Sequence, residues 1–227
     1  MRPMRPTPPP PRPALESLFA RATYTADAEP RLVDGQLYNA EWEHIKNAVP
    51  KRRAEFGTAR LCARRGLAAM GIAPAAILPG DDGCPAWPRG VVGSISHTAD
   101  YCAVVLSRDP PVRSVGLDVE TLQELEPGVL ESILTPVERA WMRAQPPALQ
   151  ADLAVVFFSA KEAYYKCQYP ITRTFLEFGD VELELYPDAG RFVAKATRPG
   201  LPPDVARLEG RFAFEGGRVF CGVELAR

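Results

Sequence analysis

The sequence is short of lysine, of histidine and of long apolar runs, and each shortage excludes something. Its longest apolar stretches, Tyr101–Leu106 and Leu153–Phe158, are six residues each. A membrane-spanning helix needs about 18 or more, so an integral helical membrane protein is excluded. Two histidines, His44 and His97, are too few for a multi-histidine metal centre. Five cysteines stand at 62, 84, 102, 167 and 221, with no Cys-x-x-Cys. Their odd number and wide spacing argue against a disulfide scaffold and against a zinc ribbon. The 27 basic and 28 acidic residues give a net charge of −1, which lacks the positive excess of a general nucleic-acid binder.

What is present is a globular composition. Of 227 residues, 46% are apolar and 24% charged, enough for a real core in one large domain or two small ones. The cations are 22 Arg against five Lys, yet Lys161 and Lys166 fall within six residues of each other. Seven of the first thirteen residues are proline. Each removes a backbone donor and fixes φ, so 1–13 reads as an extended, solvated tail, with a PxxP ligand as the alternative. No apolar stretch follows its arginines as in a secretory signal, and a cytoplasmic chain is expected.

Short helices are expected over Ala14–Ala22 and Glu41–Ala48. A stronger helical pattern opens at Pro50 and runs to Met70, with Gly71 as the stop. Phe56, Ala59, Ala63, Leu67 and Met70 share one face, and Arg53, Arg60 and Arg64 form a stripe beside it. Strands are expected over Val91–His97 and Tyr101–Ser107, joined by Thr98-Ala-Asp100 as a hairpin. Asp109-Pro-Pro111 marks a boundary between halves at 14–110 and 111–227. The second half reads as a strand over Ser114–Glu120, a helix capped by Thr135 over Pro136–Met142, and a helix over Leu153–Gln168. Further strands follow over Phe175–Tyr186, Phe192–Ala196, Arg211–Phe214 and Val219–Leu225. This order implies an α+β fold rather than a doubly wound parallel sheet.

Three groups of residues could carry chemistry. In Val115-Gly-Leu-Asp-Val-Glu120, strand alternation points Asp118 and Glu120 to one side and Leu117 and Val119 into the core. Paired carboxylates suit a hard cation such as Mg²⁺, or they simply face water at an edge. In Phe158-Ser-Ala-Lys-Glu-Ala-Tyr-Tyr-Lys166, Glu162 and Lys166 stand one helical turn apart. That pair suits phosphate chemistry, where the acid binds metal or takes a proton and the lysine meets developing negative charge. Alternatively, Ser159-x-x-Glu162 is a capping box that starts a helix. In Gly93-Ser-Ile-Ser-His97, the histidine ends a strand, either beside a phosphate or as a half-buried group satisfied by backbone.

In this order, Trp87-Pro88, Gly93-Ser-Ile-Ser-His97, Gly116-Leu-Asp-Val-Glu120 and Phe158–Lys166 resemble the 4′-phosphopantetheinyl transferase superfamily. The resemblance is to its single-chain, pseudo-dimeric type, and Lys51-Arg-Arg53 with Phe56 and Arg60 is similar to the mycobacterial kind. It covers roughly residues 40 to 185. It implies two similar α+β halves related by a pseudo-twofold, with the active site between them. It implies transfer of 4′-phosphopantetheine from coenzyme A to a serine of an acyl or peptidyl carrier protein of a polyketide, peptide or siderophore synthase. The product released is 3′,5′-ADP, and a monomer is expected. By position, Asp118, Glu120 and Glu162 would bind Mg²⁺, and Asp118 would also face the coenzyme. Glu162 would be the base, Lys166 would stabilise the leaving phosphate, and Lys161 would lie near the phosphates. Arg52, Arg60 and His97 would hold the 3′-phosphate, with Ser96 lining the same pocket.

The chain departs from this pattern in Pro79-Gly-Asp-Asp-Gly83, where relatives often carry a lysine. Contacts of Gly80 and Asp81 with the nucleotide would then be backbone ones, or be absent. Helix geometry leaves Arg52 and Arg53 as rival phosphate ligands, with Arg53 nearer the azimuth of Arg60. Leu122, Leu125 and Leu130 are the candidate docking patch for the carrier. A metal-dependent nuclease and a non-catalytic module binding coenzyme A or a carrier are the competing readings. Net charge weighs against the first, and the intact acids and lysine against the second.

Overall fold

The computed structural model describes residues 14–21 and 23–227, and the proline-rich tail expected over 1–13 lies outside them. The first part of the chain forms α1 (Ala14–Ser17), β1 (Thr23–Ala28), α2 (Asn39–Ile45), α3 (Pro50–Ala69), β2 (Val91–His97) and β3 (Cys102–Arg108). Helix α3 opens with Pro50, whose missing N–H falls where no helical bond is due. It ends in a Schellman motif around Gly71, at φ +68°: Ile72 N–H donates to Leu67 O, and Gly71 N–H to Ala68 O. The β2–β3 hairpin turns at Thr98, whose N–H donates to Tyr101 O at 2.8 Å. Strands pair antiparallel in the order β1-β3-β2. Ala59, Cys62, Ala63 and Leu67 of α3 share a core with Val104 and Leu106 of β3.

Beyond Asp109–Pro111 come β4 (Val112–Thr121), α4 (Pro127–Ile133), α5 (Pro136–Arg143), α6 (Pro147–Thr172), β5 (Val181–Tyr186), β6 (Arg191–Ala196), α7 (Pro203–Ala206), β7 (Arg207–Glu215) and β8 (Arg218–Ala226). They build a second antiparallel sheet, β4-β8-β7-β6-β5, with α6 lying on β4 and β8. Gly216 and Gly217, at φ +58° and +73°, make the two-residue β7–β8 turn that needs two left-handed residues. The fold is α+β, as the sequence implies.

Three local expectations are corrected, and one strand is added. Helix α6 begins at Pro147 rather than Leu153 and ends at Thr172, with Pro170 tolerated in its last turn at the loss of one backbone bond. Ser159 is therefore mid-helix and buried, so it does not start a helix with Glu162. The strand expected over Phe175–Tyr186 begins only at Val181, after a 3₁₀ turn over Phe178–Asp180. Strand β1 was not anticipated, because its half-buried Thr-Tyr-Thr-Ala-Asp-Ala carries a weak apolar pattern and its pairing with β3 decides the matter. Thr135 does cap α5: Glu138 N–H donates to its Oγ1 at 3.3 Å, and Glu138 Oε2 accepts from Thr135 N–H at 2.7 Å.

The two sheets meet where β2 lies against β4. Leu117 N–H donates to Ser94 Oγ and Val119 N–H to Ser96 Oγ, each at 3.1 Å. Serine hydroxyls thus satisfy strand amides at the junction of the halves. On the helix side, a Cβ added to Gly116 would stand 1.9 Å from Ala163 O, so glycine lets α6 approach β4 closely. Leu15, Leu18 and Phe19 join a core with Val115, Leu117, Val119 and Phe220. Residues 14–21 therefore pack across the five-stranded sheet and not only on the half to which the sequence assigns them.

Candidate active site between the two halves

A cleft of about 670 Å³ runs between α3, the 79–87 loop and the C-terminal part of α6. One face of α3 supplies Arg52, Glu55, Phe56 and Arg60 to it. Arg52 Nη1 lies 3.1 Å from His97 Nε2, and Glu55 Oε2 is 3.6 Å from Arg52 and 3.8 Å from His97 Nδ1. Arg60 is buried: its Nε donates to Ile77 O at 2.9 Å and its guanidinium lies 3.6 Å from the Phe56 ring centroid. Burial lowers its pKa to about 10, which leaves it charged at neutral pH. Burial also lowers the pKa of His97; Glu55 opposes this, while Arg52 and Lys166 add to it. With Arg113, Lys166 and Arg173 on the remaining walls, cations outnumber carboxylates in the cleft. That balance of charge suits an anionic ligand.

At its inner end, Asp118 is buried on β4. Asp118 Oδ1 accepts from Ser96 Oγ at 2.9 Å and from Lys166 Nζ at 2.6 Å. Glu120, two residues on, shares that strand face. Burial, with Asp118 next in weight, raises its pKa from 4.5 to about 7, against the pull of Lys166. Burial raises the pKa of Glu162 as well; Lys166 lowers it and Asp118 raises it. Glu162 borders a second, mainly apolar cleft of about 500 Å³, lined by Phe175, Leu176, Phe178 and Val181, with Ser132, Lys161 and Glu177 at its polar places. Tyr165 lines both clefts. One stretch of α6 therefore presents Glu162 to an apolar cleft and Lys166 to a cationic one.

Among the described residues, no three His, Cys, Asp or Glu side chains are placed so that they could hold a metal ion, so the expected set of Asp118, Glu120 and Glu162 does not stand as a preformed site. Asp118 and Glu120 nevertheless offer what a divalent cation takes. Asp118 Oδ2 is buried without a hydrogen-bond partner, Glu120 and Asp118 repel each other, and carboxylate oxygens are the donors that Mg²⁺ takes.

Several residues sit elsewhere than the sequence suggests. Lys161 does not reach the cationic cleft. Its Nζ, nearly inaccessible, donates to Ile133 O at 2.8 Å, Glu138 Oε2 at 2.7 Å and Phe178 O at 2.9 Å, which uses all three of its protons. Gly80 and Asp81 do not line the cleft either. Gly80 N–H donates to Cys84 O within the loop, whereas Asp82 and Gly83, exposed like Asp81, line the rim of the cleft. Arg53 is ion-paired with Asp34 and lies near Trp42, so Arg52 is the residue beside His97. The arginine stripe is anchored to the protein at its far end, where Arg64 is tied to buried Glu41 at 2.6 Å. Leu122, Leu125 and Leu130 are half-buried against the C-terminal core, and the exposed charges beside them, Glu124, Glu126 and Glu131, are acidic.

The sequence reading missed Glu55, Arg113, Tyr165 and Arg173. Glu55 had a local signal, three residues after Arg52 on one helix face, and Tyr165 stands next to Lys166 within the Phe158–Lys166 motif. The others are drawn in by contacts between distant segments.

Residues 40–107 match the 4′-phosphopantetheinyl transferase N-terminal domain, and residues 114–202 match the 4′-phosphopantetheinyl transferase superfamily. Over 196 residues the chain is 39% identical to 4′-phosphopantetheinyl transferase Svp of Streptomyces mobaraensis, spanning 84% of this chain and 79% of that one. Over 189 residues it is 43% identical to 4′-phosphopantetheinyl transferase PptT of Mycobacterium tuberculosis, spanning 80% and 82%. Over 169 residues it is 38% identical to 4′-phosphopantetheinyl transferase Npt of Nocardia iowensis, spanning 74% and 75%. With both parts of the chain matched and most of each relative covered, this protein belongs to the 4′-phosphopantetheinyl transferase superfamily of enzymes.

Proposed function

We propose that the protein transfers 4′-phosphopantetheine from coenzyme A to a serine of an acyl or peptidyl carrier domain and releases 3′,5′-ADP. It would act as a cytoplasmic monomer on the carriers of polyketide, nonribosomal peptide or siderophore synthases. The observation that carries this reading is the division of labour along α6, with Lys166 in the cationic cleft and Glu162 in the apolar one. Coenzyme A has the same two-part character: a nucleotide with three phosphates joined to an uncharged arm.

Arg52, Arg60 and His97 would hold the nucleotide phosphates, with Ser96 beside them. The arm would lie along Phe175, Leu176 and Phe178. Asp118, Glu120 and Glu162 would hold Mg²⁺, which supplies positive charge against the diphosphate when bound. The carrier serine Oγ attacks the phosphorus that bears the arm. The bond from that phosphorus to the bridging oxygen breaks, and 3′,5′-ADP leaves with that oxygen. Glu162 takes the serine proton, a role that suits a carboxyl raised by burial. Lys166 neutralises charge on the departing phosphate.

Mass spectrometry of an apo-carrier after incubation with the protein, coenzyme A and Mg²⁺ tests the reading. The expected result is the gain of one phosphopantetheine, abolished by Glu162→Ala. An unmodified carrier across a panel of acyl and peptidyl carriers overturns it.

A further inference from the structure

Arg173 has a conformation and a position that the roles above do not explain. It follows α6 as its C-cap at φ +54°, the only left-handed non-glycine among the described residues. Its N–H donates to Tyr169 O at 2.9 Å. Glycine is the usual residue for this conformation, because a Cβ is strained there. A side chain kept at such a place points to a task for that side chain.

The guanidinium lies 5.8 Å from the Tyr169 ring centroid and lines the cationic cleft. There it is ion-paired with Asp82, on the loop of the opposite half. Asp82 is held in turn, since its Oδ1 accepts from Cys84 N–H at 3.0 Å, and Gly80 N–H closes the loop on Cys84 O at 2.7 Å. Pro79–Gly83 carries no cation of its own, so Arg173 brings positive charge to that end of the cleft from across the gap. Its side chain remains more than half exposed, so the fork is free to exchange one anion for another.

We propose that Arg173 is a further nucleotide-binding residue, whose guanidinium meets a phosphate of coenzyme A, and that Asp82 is the counter-anion this phosphate displaces. The inference rests on the coenzyme A reading above. It assigns opposite signs to the two partners. Arg173 contributes attraction for the ligand, whereas Asp82 competes for the guanidinium and repels the phosphate.

Calorimetric titration of the full chain with coenzyme A, without carrier, separates the outcomes. Arg173→Gly removes the cation while relieving the backbone, so affinity falls by about tenfold and the melting temperature does not drop. Asp82→Asn keeps the acceptor for Cys84 N–H and removes the charge, so affinity rises by about threefold. Unchanged affinity in Arg173→Gly overturns the inference. So does weaker binding in both variants, which would mark the ion pair as a strut that only holds the loop. Failure of the unaltered protein to bind coenzyme A overturns the functional reading instead, and the inference with it.

Discussion

Lys166 Nζ lies 2.6 Å from Asp118 Oδ1 and 3.4 Å from Ser96 Oγ. One ammonium thus ties the long helix α6 to the strand β4 and to the edge of the other sheet. Asp118 is buried, and among the described residues no other cation stands within ion-pair distance of it. Lys166→Met should therefore destabilise the protein by about 2–3 kcal/mol, because it leaves a buried carboxylate uncompensated. Adding Asp118→Asn should recover part of that loss. A double-mutant cycle by urea unfolding measures the coupling, and additive losses would refute it. Transfer by Lys166→Met should fall by about 10²–10³.

Glu120 should make stability fall with rising pH. Its carboxyl holds its proton to about 7 in the folded protein, against 4.5 ordinarily, because of burial and then Asp118. The folded state binds that proton more tightly. The stability it contributes is full below about pH 4.5 and is lost as pH rises to about 7. Its half-exposed position reduces the effect to about 1–2 kcal/mol. Urea unfolding in a chelator across pH 5 to 8 should show this slope, and Glu120→Gln should flatten it. Added Mg²⁺ should raise the melting temperature more at pH 8 than at pH 5, since deprotonated acids bind it. Equal shifts at both pH values would argue against these acids as its ligands.

Gly116 sets the distance between the metal-strand candidate and the helix that bears Glu162 and Lys166. Gly116→Ala places a Cβ against backbone, Ala163 O at 1.9 Å and Cys167 N at 2.7 Å, and neither can rotate away. The variant should lose about 3 kcal/mol. Its folded fraction should also lose transfer activity, since α6 must shift off β4. Activity at the wild-type level in folded protein would count against that coupling.

Lys161 and Lys166 should fail in different assays. Lys161 is a buried pin between α6, α5 and the turn before β5, and its partner Glu138 also accepts from Leu183 N–H at 2.7 Å. Lys161→Met should cost about 3 kcal/mol by stranding Glu138, which a thermal melt will register. Coenzyme A titration at a temperature where the variant stays folded should show little change in affinity, because Lys161 borders only the second cleft and its ammonium is spent on three protein acceptors. A large loss of affinity there would restore Lys161 to the phosphate site.

Much of this protein is written locally in its sequence. Helix α3 is announced by Pro50 and Gly71, the β2–β3 hairpin by Thr98-Ala-Asp100, and the cap of α5 by Thr135, because start, stop and turn signals act over a few residues. The alternation that sets Asp118 and Glu120 apart from Leu117 and Val119 is equally local, as is the one-turn spacing of Glu162 and Lys166.

Only tertiary structure decided between residues of the same type. Lys161 and Lys166 read alike, but one is consumed by three protein acceptors and the other faces a cleft. Arg52 and Arg53 are neighbours, and Asp34, far away in sequence, claims the second. Arg173 enters the site because a loop of the other half holds Asp82 opposite it. A charged side chain has several possible partners at similar energy, and which one it meets depends on segments that no local pattern brings together.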